Sequence, residues 1–176
     1  MLTRELDNSL FESYSEDIPV ILKRVYAARA VSESQLSMAL PGLLKPSFDQ
    51  LNIALDLLER CILEDQRILI VGDFDADGAT ASAVAIKALR LMGAKHVDFL
   101  VPNRFKHGYG LSPEIVKEAK TAKNPNLIIT VDNGISSNEG AALARSLDID
   151  VIITDHHLPP KVLPDANSII NPNLRG

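Results

Sequence analysis

The chain has 176 residues, enough for one ordinary domain with its own core, or for a domain and a small appendage. Hydrophobic residues make up 46% and charged residues 23%, a globular balance, and the net charge of −5 lacks the basic footprint of a chain that grips nucleic acid unaided. No apolar run approaches a membrane span, Met1-Leu2-Thr3-Arg4-Glu5 begins no secretory signal, and a single Cys61 excludes an internal disulfide, all of which suits a cytoplasmic protein with no membrane partner.

From Met1 to about Asp17 nothing is periodic, and a loosely ordered arm is expected. Ile18 to Ala30 places Ile21, Leu22, Val25 and Ala28 on one helical face. Ser32-Glu33-Ser34-Gln35 fits a capping box for a short helix to Leu40, stopped by Pro41-Gly42. Ser47-Phe48-Asp49-Gln50 fits a second box and opens a longer helix to about Leu63. Cys61 falls within it and reads as core rather than as a nucleophile. These helices carry no visible chemistry and are expected to pack against a sheet formed by the rest of the chain.

At Arg67 the pattern changes to alternating strands and helices. Ile68 to Asp73 is a strand, followed by an alanine-rich helix from Ala79 to Met92 with Gly93 as its stop. Val97 to Val101 is a second strand. After the loop Pro102 to Leu111, Ser112 and Pro113 start another helix. Leu127 to Asp132 is the third strand, and Ser136-Ser137-Asn138-Glu139 fits a box opening a helix to Leu147. Val151 to Thr154 is the fourth, and Ser168 to Ile170 a short fifth. Continuous apolar strands joined by helices predict an α/β fold, a parallel sheet of four to five strands with helices on both faces. Residues 1–66 are expected to form an amino-terminal arm and helices packed on this core, and residues 67–176 the sheet itself.

In such a sheet, ligands bind beyond the carboxyl ends of the strands. The first strand ends in Asp73, Asp75 and Asp77, the third in Asp132-Asn133-Gly134, and the fourth in Asp155-His156-His157. Crowded carboxylates repel one another unless a cation or protons compensate. An EF-hand loop is excluded, because a strand precedes Asp73 and its twelfth position is Val84 rather than Glu. Capping of the next helix by Asp77 would use one carboxylate, not three. Carboxylates mixed with imidazoles suit manganese or zinc better than magnesium, and the number of carboxylates suffices for two ions. Two ions would clamp a phosphoryl group and activate a bridging water. In the loop Pro102-Asn103-Arg104-Phe105-Lys106-His107-Gly108-Tyr109-Gly110, Arg104 could pair with a phosphate and Tyr109 stack on a base; a plain surface loop fits the same residues equally well.

Gly72-Asp73-Phe74-Asp75-Ala76-Asp77-Gly78, Val131-Asp132-Asn133-Gly134 and Thr154-Asp155-His156-His157 resemble, in order and spacing, the first three motifs of the DHH phosphoesterase superfamily. Val101-Pro102-Asn103-Arg104-Phe105, Gly108-Tyr109-Gly110-Leu111-Ser112-Pro113 and Ile170-Asn171-Pro172-Asn173-Leu174-Arg175 resemble stretches of its bacterial single-strand-specific 5′-to-3′ DNA exonucleases. The likeness runs from about Ile18 to the last residue.

The resemblance implies a hydrolase of single-stranded DNA acting in recombination and repair with two divalent ions, manganese before magnesium. It implies Asp75, Asp77, Asp132 and His156 as metal ligands, with Asp132 bridging. Asp73 and Asp155 would be ligands or supports behind them. His157 would face the scissile phosphate, so that His157 and Asp132 are the catalytic pair, and Arg104, Tyr109 and Asn133 would contact substrate. A fourth-motif Asp, a second domain and an OB-type domain belong to that family beyond Gly176. The chain is therefore expected to be an amino-terminal fragment with an incomplete catalytic domain and little activity alone, whose longer form could meet single-strand-binding protein and helicases. Two other readings stay open: a DHH hydrolase of small nucleotides or pyrophosphate, and a receiver-like signalling domain with Lys161 near its acidic rim.

Overall fold

The computed structural model describes residues 5–36 and 47–174, apart from the side chains of residues 104 and 106. The chain divides into two compact units, Met1–Pro46 and Ser47–Gly176.

The first unit contains helices α1 (Asn8–Ser13) and α2 (Val20–Ala27) and a 3-10 turn, Glu33–Leu36. The expected arm thus holds a helix. Asp7 starts it by accepting a hydrogen bond from the Leu10 amide; six residues are too few to show a periodic apolar face. Tyr14, nearly buried, donates its hydroxyl to the Val31 carbonyl, and its ring lies 6.3 Å from that of Tyr26. The box at Ser32 forms, with the Ser32 amide donating to Gln35 Oε1 at 2.7 Å, but the turn it opens is 3-10. The expected continuation to Leu40 and the stop at Pro41-Gly42 lie outside the described residues.

The second unit begins before α3 (Leu51–Leu63), so this helix sits with the sheet. The elements after it are β1 (Arg67–Gly72), α4 (Ala76–Leu91), β2 (His96–Leu100), α5 (Arg104–His107), α6 (Pro113–Ala122), β3 (Leu127–Val131), α7 (Asn138–Ser146), β4 (Asp150–Thr154) and β5 (Ser168–Ile170). The five strands among the described residues are all parallel, in the order β2-β1-β3-β4-β5. Strand side chains alternate between the two faces. Leu69, Val71, Ile128, Val151 and Ile153 pack with Ile115, Val116 and Ala119 of α6 and Ala144 of α7. Ile68, Ile70, Leu127, Ile129 and Ile152 pack with Ala54, Leu57 and Cys61 of α3 and Leu89 of α4. A strand buried on both faces must read as a continuous apolar run, which is why these strands were visible in the sequence. Cys61 is fully buried, and burial pushes its thiol up.

Two expected capping boxes do not form. The Gln50 side chain accepts from the Ile169 amide at 2.7 Å, and its carbonyl accepts from the Ser168 hydroxyl, tying α3 to β5. Ser137 Oγ accepts from the Leu111 amide at 3.0 Å, tying α7 to the loop before α6. In both places a tertiary donor outcompetes the helix's own amides. At 47 the glutamine of the box is engaged elsewhere; at 136 the helix starts one residue later than the box implies, with Ser137 in the cap position and its hydroxyl spent on Leu111.

The α6–α7 contact depends on Gly140. A Cβ there would sit 1.8 Å from the Leu111 carbonyl oxygen, a backbone atom that no rotamer change can move. Gly140→Ala is expected to destabilise at the upper end of the overpacking range, about 3 kcal/mol, and to lower the melting temperature by about 6–12 °C. Thermal unfolding followed by circular dichroism checks this; an unchanged melting temperature would mean that the helices can separate freely.

Candidate metal centre

The carboxyl ends of β1, β3 and β4 lie side by side because the strands pair in register there, Gly72 with Val131 and Val131 with Thr154. The residue after each pairing position is Asp73, Asp132 or Asp155, so strand order alone brings the three motifs to one rim.

The β1 loop turns directly into α4. Asp75 is the helix cap, accepting from the Gly78 amide at 3.1 Å, whereas Asp77, the residue weighed from the sequence for that role, falls within the first turn. Both positions favour a negative charge, because the amides of a helix start are unpaired. Gly78 lets this turn lie over Asp73: a Cβ would meet the Asp73 backbone at 2.6–2.8 Å. The Asp73 carboxylate is itself nearly buried and accepts from the Phe74 amide at 2.8 Å.

Asp132 follows β3 in a left-handed conformation, φ 63°, which Asp tolerates better than most residues. This turn puts its carboxylate 2.9 Å from His156 Nε2. Asp155, 7% exposed, has no oxygen free: Oδ1 accepts from the His156 and His157 amides at 2.7 and 3.0 Å and contacts His157 Nδ1 at 2.7 Å, and Oδ2 accepts from the Ile135 amide at 2.9 Å.

Among the described residues two groups of candidate ligand atoms result, each within 4.8 Å: Asp73, Asp75 and Asp132, and Asp132, His156 and His157. Asp132 belongs to both. Asp77 is in neither, but lines the cleft beside Asp132 and His156. Asp155 is also in neither and acts behind the histidines. Among the expected substrate contacts, Tyr109 is half exposed at the rim, its hydroxyl 3.5 Å from His157 Nδ1 and its ring edge-on to that imidazole. Arg104 opens α5, and its side chain lies outside the described residues. Asn133 is not at the rim. It is fully buried and donates to the Val71 and Val131 carbonyls at 3.0 and 2.9 Å, joining the ends of β1 and β3. The motif alone could not show which of its polar residues faces inward.

The electrostatics favour a cation. Burial and the charges of Asp77 and Asp75 raise the Asp132 carboxyl above its ordinary value, against the pull of His156. The Tyr109 phenol is pushed up to about 12 by burial and by Asp73, Asp155, Asp132 and Asp75. The His157 imidazole is raised, chiefly by its hydrogen bond to Asp155. Oxygen and imidazole donors converging in an excess of negative charge fit a divalent ion of the manganese type. Asn171-Pro172-Asn173 stands out in the sequence only through its likeness to the exonuclease stretches. In the structure both asparagines reach the histidine segment; two amides flanking a proline just after a strand were the available signal.

The DHH family's amino-terminal domain matches residues 67–176. The single-stranded-DNA-specific exonuclease RecJ of Salmonella typhimurium is 50% identical over 161 residues, covering 90% of this chain and 28% of that protein. The Escherichia coli RecJ is 48% identical over 174 residues, covering 98% and 30%. A solved structure of exonuclease RecJ bound to manganese superposes with a TM-score of 0.66 at 36% identity, covering 75% of this chain and 33% of that one. A structure of Thermus thermophilus RecJ in complex with Mn2+ gives a TM-score of 0.58 at 29% identity, covering 93% and 22%. The chain thus spans less than a third of the length of the curated relatives named here.

Proposed function

This chain belongs to the DHH family, and on that premise we propose that it is the amino-terminal part of the catalytic domain of a 5′-to-3′ exonuclease of single-stranded DNA, serving recombination and repair. The observation that carries the reading is the convergence of Asp73, Asp75, Asp132, His156 and His157, from three strand ends, into two groups sharing Asp132. The names of the RecJ relatives supply the substrate class.

Asp73, Asp75 and Asp132 would hold one divalent ion, and Asp132 and His156 a second, with Asp77 beside them; manganese is the ion named for the solved relatives. Bound there, the ions would supply Lewis-acid activation of water and neutralisation of phosphate charge. The chain's own residues do the rest. Without an ion, Asp132 keeps the His156 ring turned to the site through Nε2; an ion held by both would take the place of that contact. Asp155 fixes the His157 ring through Nδ1, leaving Nε2 for the scissile phosphate or the departing oxygen. Tyr109 sets a phenol that stays protonated beside the same imidazole, 3.5 Å from Nδ1. Arg104 contacts the DNA backbone. Single-strand-binding protein and helicases would be partners of a longer chain.

Manganese titration of this chain, read by electron paramagnetic resonance, tests the centre. A chimera in which the chain replaces the matching part of the Escherichia coli relative tests the substrate. Manganese uptake and stepwise 5′ shortening of single strands are expected; preferred turnover of dinucleotides or pyrophosphate would overturn the substrate class. In the same chimera, Arg104→Ala is expected to weaken single-strand binding and to reduce the slope of log affinity against log salt by about 0.7 to 1, the share of one phosphate contact. An unchanged slope would remove Arg104 from the interface.

A further inference from the structure

The two residues that carry the imidazoles, His156 and His157, lie just past β4, where the sheet no longer holds their backbone. Every polar backbone group of this dipeptide nevertheless has a partner. The amides of His156 and His157 donate to Asp155 Oδ1. The His157 carbonyl accepts from Asn171 Nδ2 at 2.9 Å, and the His156 carbonyl accepts from Asn173 Nδ2 at 2.5 Å. The segment is therefore gripped on both sides, by the carboxylate before it and by two side-chain amides from the turn after β5.

That turn is built to reach. β5 pairs with β4 up to Thr154 and Ile170, and the Asp155 amide donates to the Ile170 carbonyl, so the chain leaves the sheet beside the histidines. Asn171 is 2% exposed and uses both ends of its amide, Nδ2 on His157 and Oδ1 on the Asn173 amide at 2.8 Å. Pro172 fixes the backbone between the two asparagines and restricts Asn171 as well. The Leu174 amide closes the turn on the Asn171 carbonyl.

We propose that Asn171 and Asn173 are positioning residues for the histidine pair: with Asp155 they fix the peptide planes of His156 and His157, the base from which the rings reach Asp132 and Asp155. The proposal rests on the metal-centre reading for its consequence, since groups that orient metal-binding histidines typically contribute 10–100-fold to metal affinity. It does not need the metal for its geometry. Asparagine is required because a carbonyl accepts only from a donor; aspartate, of the same shape, presents none.

The test uses Asn171→Asp and Asn173→Asp, with Asn173→Ala as the exposed variant that spares folding, in the chain as it is. Imidazole nitrogen signals of the metal-free protein, in long-range 1H–15N spectra, report ring order, and manganese affinity is read by electron paramagnetic resonance. The expected result is broadened or shifted His156 and His157 ring signals, with manganese affinity about 10-fold lower for each variant and the backbone amide spectrum otherwise preserved. Unchanged ring signals in Asn173→Ala and Asn173→Asp would overturn the clamp. Disturbed rings with unchanged manganese affinity would overturn its role at the centre. Failure of the parent chain to bind manganese would sink the metal reading instead, and the metal-free ring spectra would still decide the clamp.

Discussion

Replacing Asp132 with asparagine is expected to abolish manganese binding and, in the chimera, to lower hydrolysis by about 1,000-fold or more, the scale of losing several kcal/mol of charge stabilisation. The metal-free protein, by contrast, should become more stable. The Asp132 carboxyl is raised by burial and by Asp77 and Asp75, so the folded chain holds its proton to a higher pH than the unfolded chain does. As pH rises above the ordinary carboxylate value of 3.8 and through the raised folded value, the folded state loses stability. Asparagine removes the charge, keeps the shape and tolerates the left-handed φ of 63°. With saturating manganese the order reverses, because a ligand at 100 times its Kd stabilises the parent chain by about 2.7 kcal/mol. Thermal unfolding with chelator and with manganese reads both signs, at about 2–4 °C per kcal/mol for a chain of this size. A variant less stable than the parent in chelator, yet equally protected by manganese, would show that Asp132 is a structural carboxylate only.

The second large effect belongs to Asp155. Its carboxylate serves four donors, and Asp155→Asn turns one acceptor into a donor facing other donors. Such a buried mismatch costs about 2–4 kcal/mol, and loss of histidine orientation should weaken manganese binding by about 10–100-fold. Burial alone would raise the Asp155 carboxyl; hydrogen bonds from His157, Ile135 and His156 hold it below its ordinary value instead. A depressed carboxylate contributes stability above the unfolded pKa and loses it as pH falls through the lower folded pKa. The acid limb of the stability curve should therefore be shallower in Asp155→Asn than in the parent. An identical acid limb, with manganese affinity intact, would mean that the four bonds are weak in solution.

The strands were legible because burial on both faces leaves unbroken apolar runs such as Ile68-Leu69-Ile70-Val71. The acidic and imidazole rim was legible because parallel strands deliver their following residues to one edge, so Asp73, Asp132 and Asp155 could be placed there without coordinates. Helix starts were less legible. Gln50 carries a letter of the box at 47, but β5 takes its side chain, and the helix expected to be capped by Ser136 is entered from Ser137, whose hydroxyl serves the Leu111 amide instead. The six-residue α1 and four-residue α5 are too short for periodicity to show.

The division of labour within the motifs was decided by tertiary structure. Local spacing brings Asp73, Asp75 and Asp77 to one strand end but does not distinguish the cap, Asp75, from the residue in the first turn, Asp77. Nor does it reveal that Asn133 points inward to join β1 and β3 while Asp132, one residue earlier, turns to the rim. The amino-acid sequence by itself determined which chemistry gathers at the carboxyl edge, because residue type and the parallel sense of the strands suffice for that. Which of those groups stay open to a cation, and which are spent holding the others, only the folded chain decided, since a side chain's free valence depends on donors 20 or more residues away, such as Ile135 for Asp155.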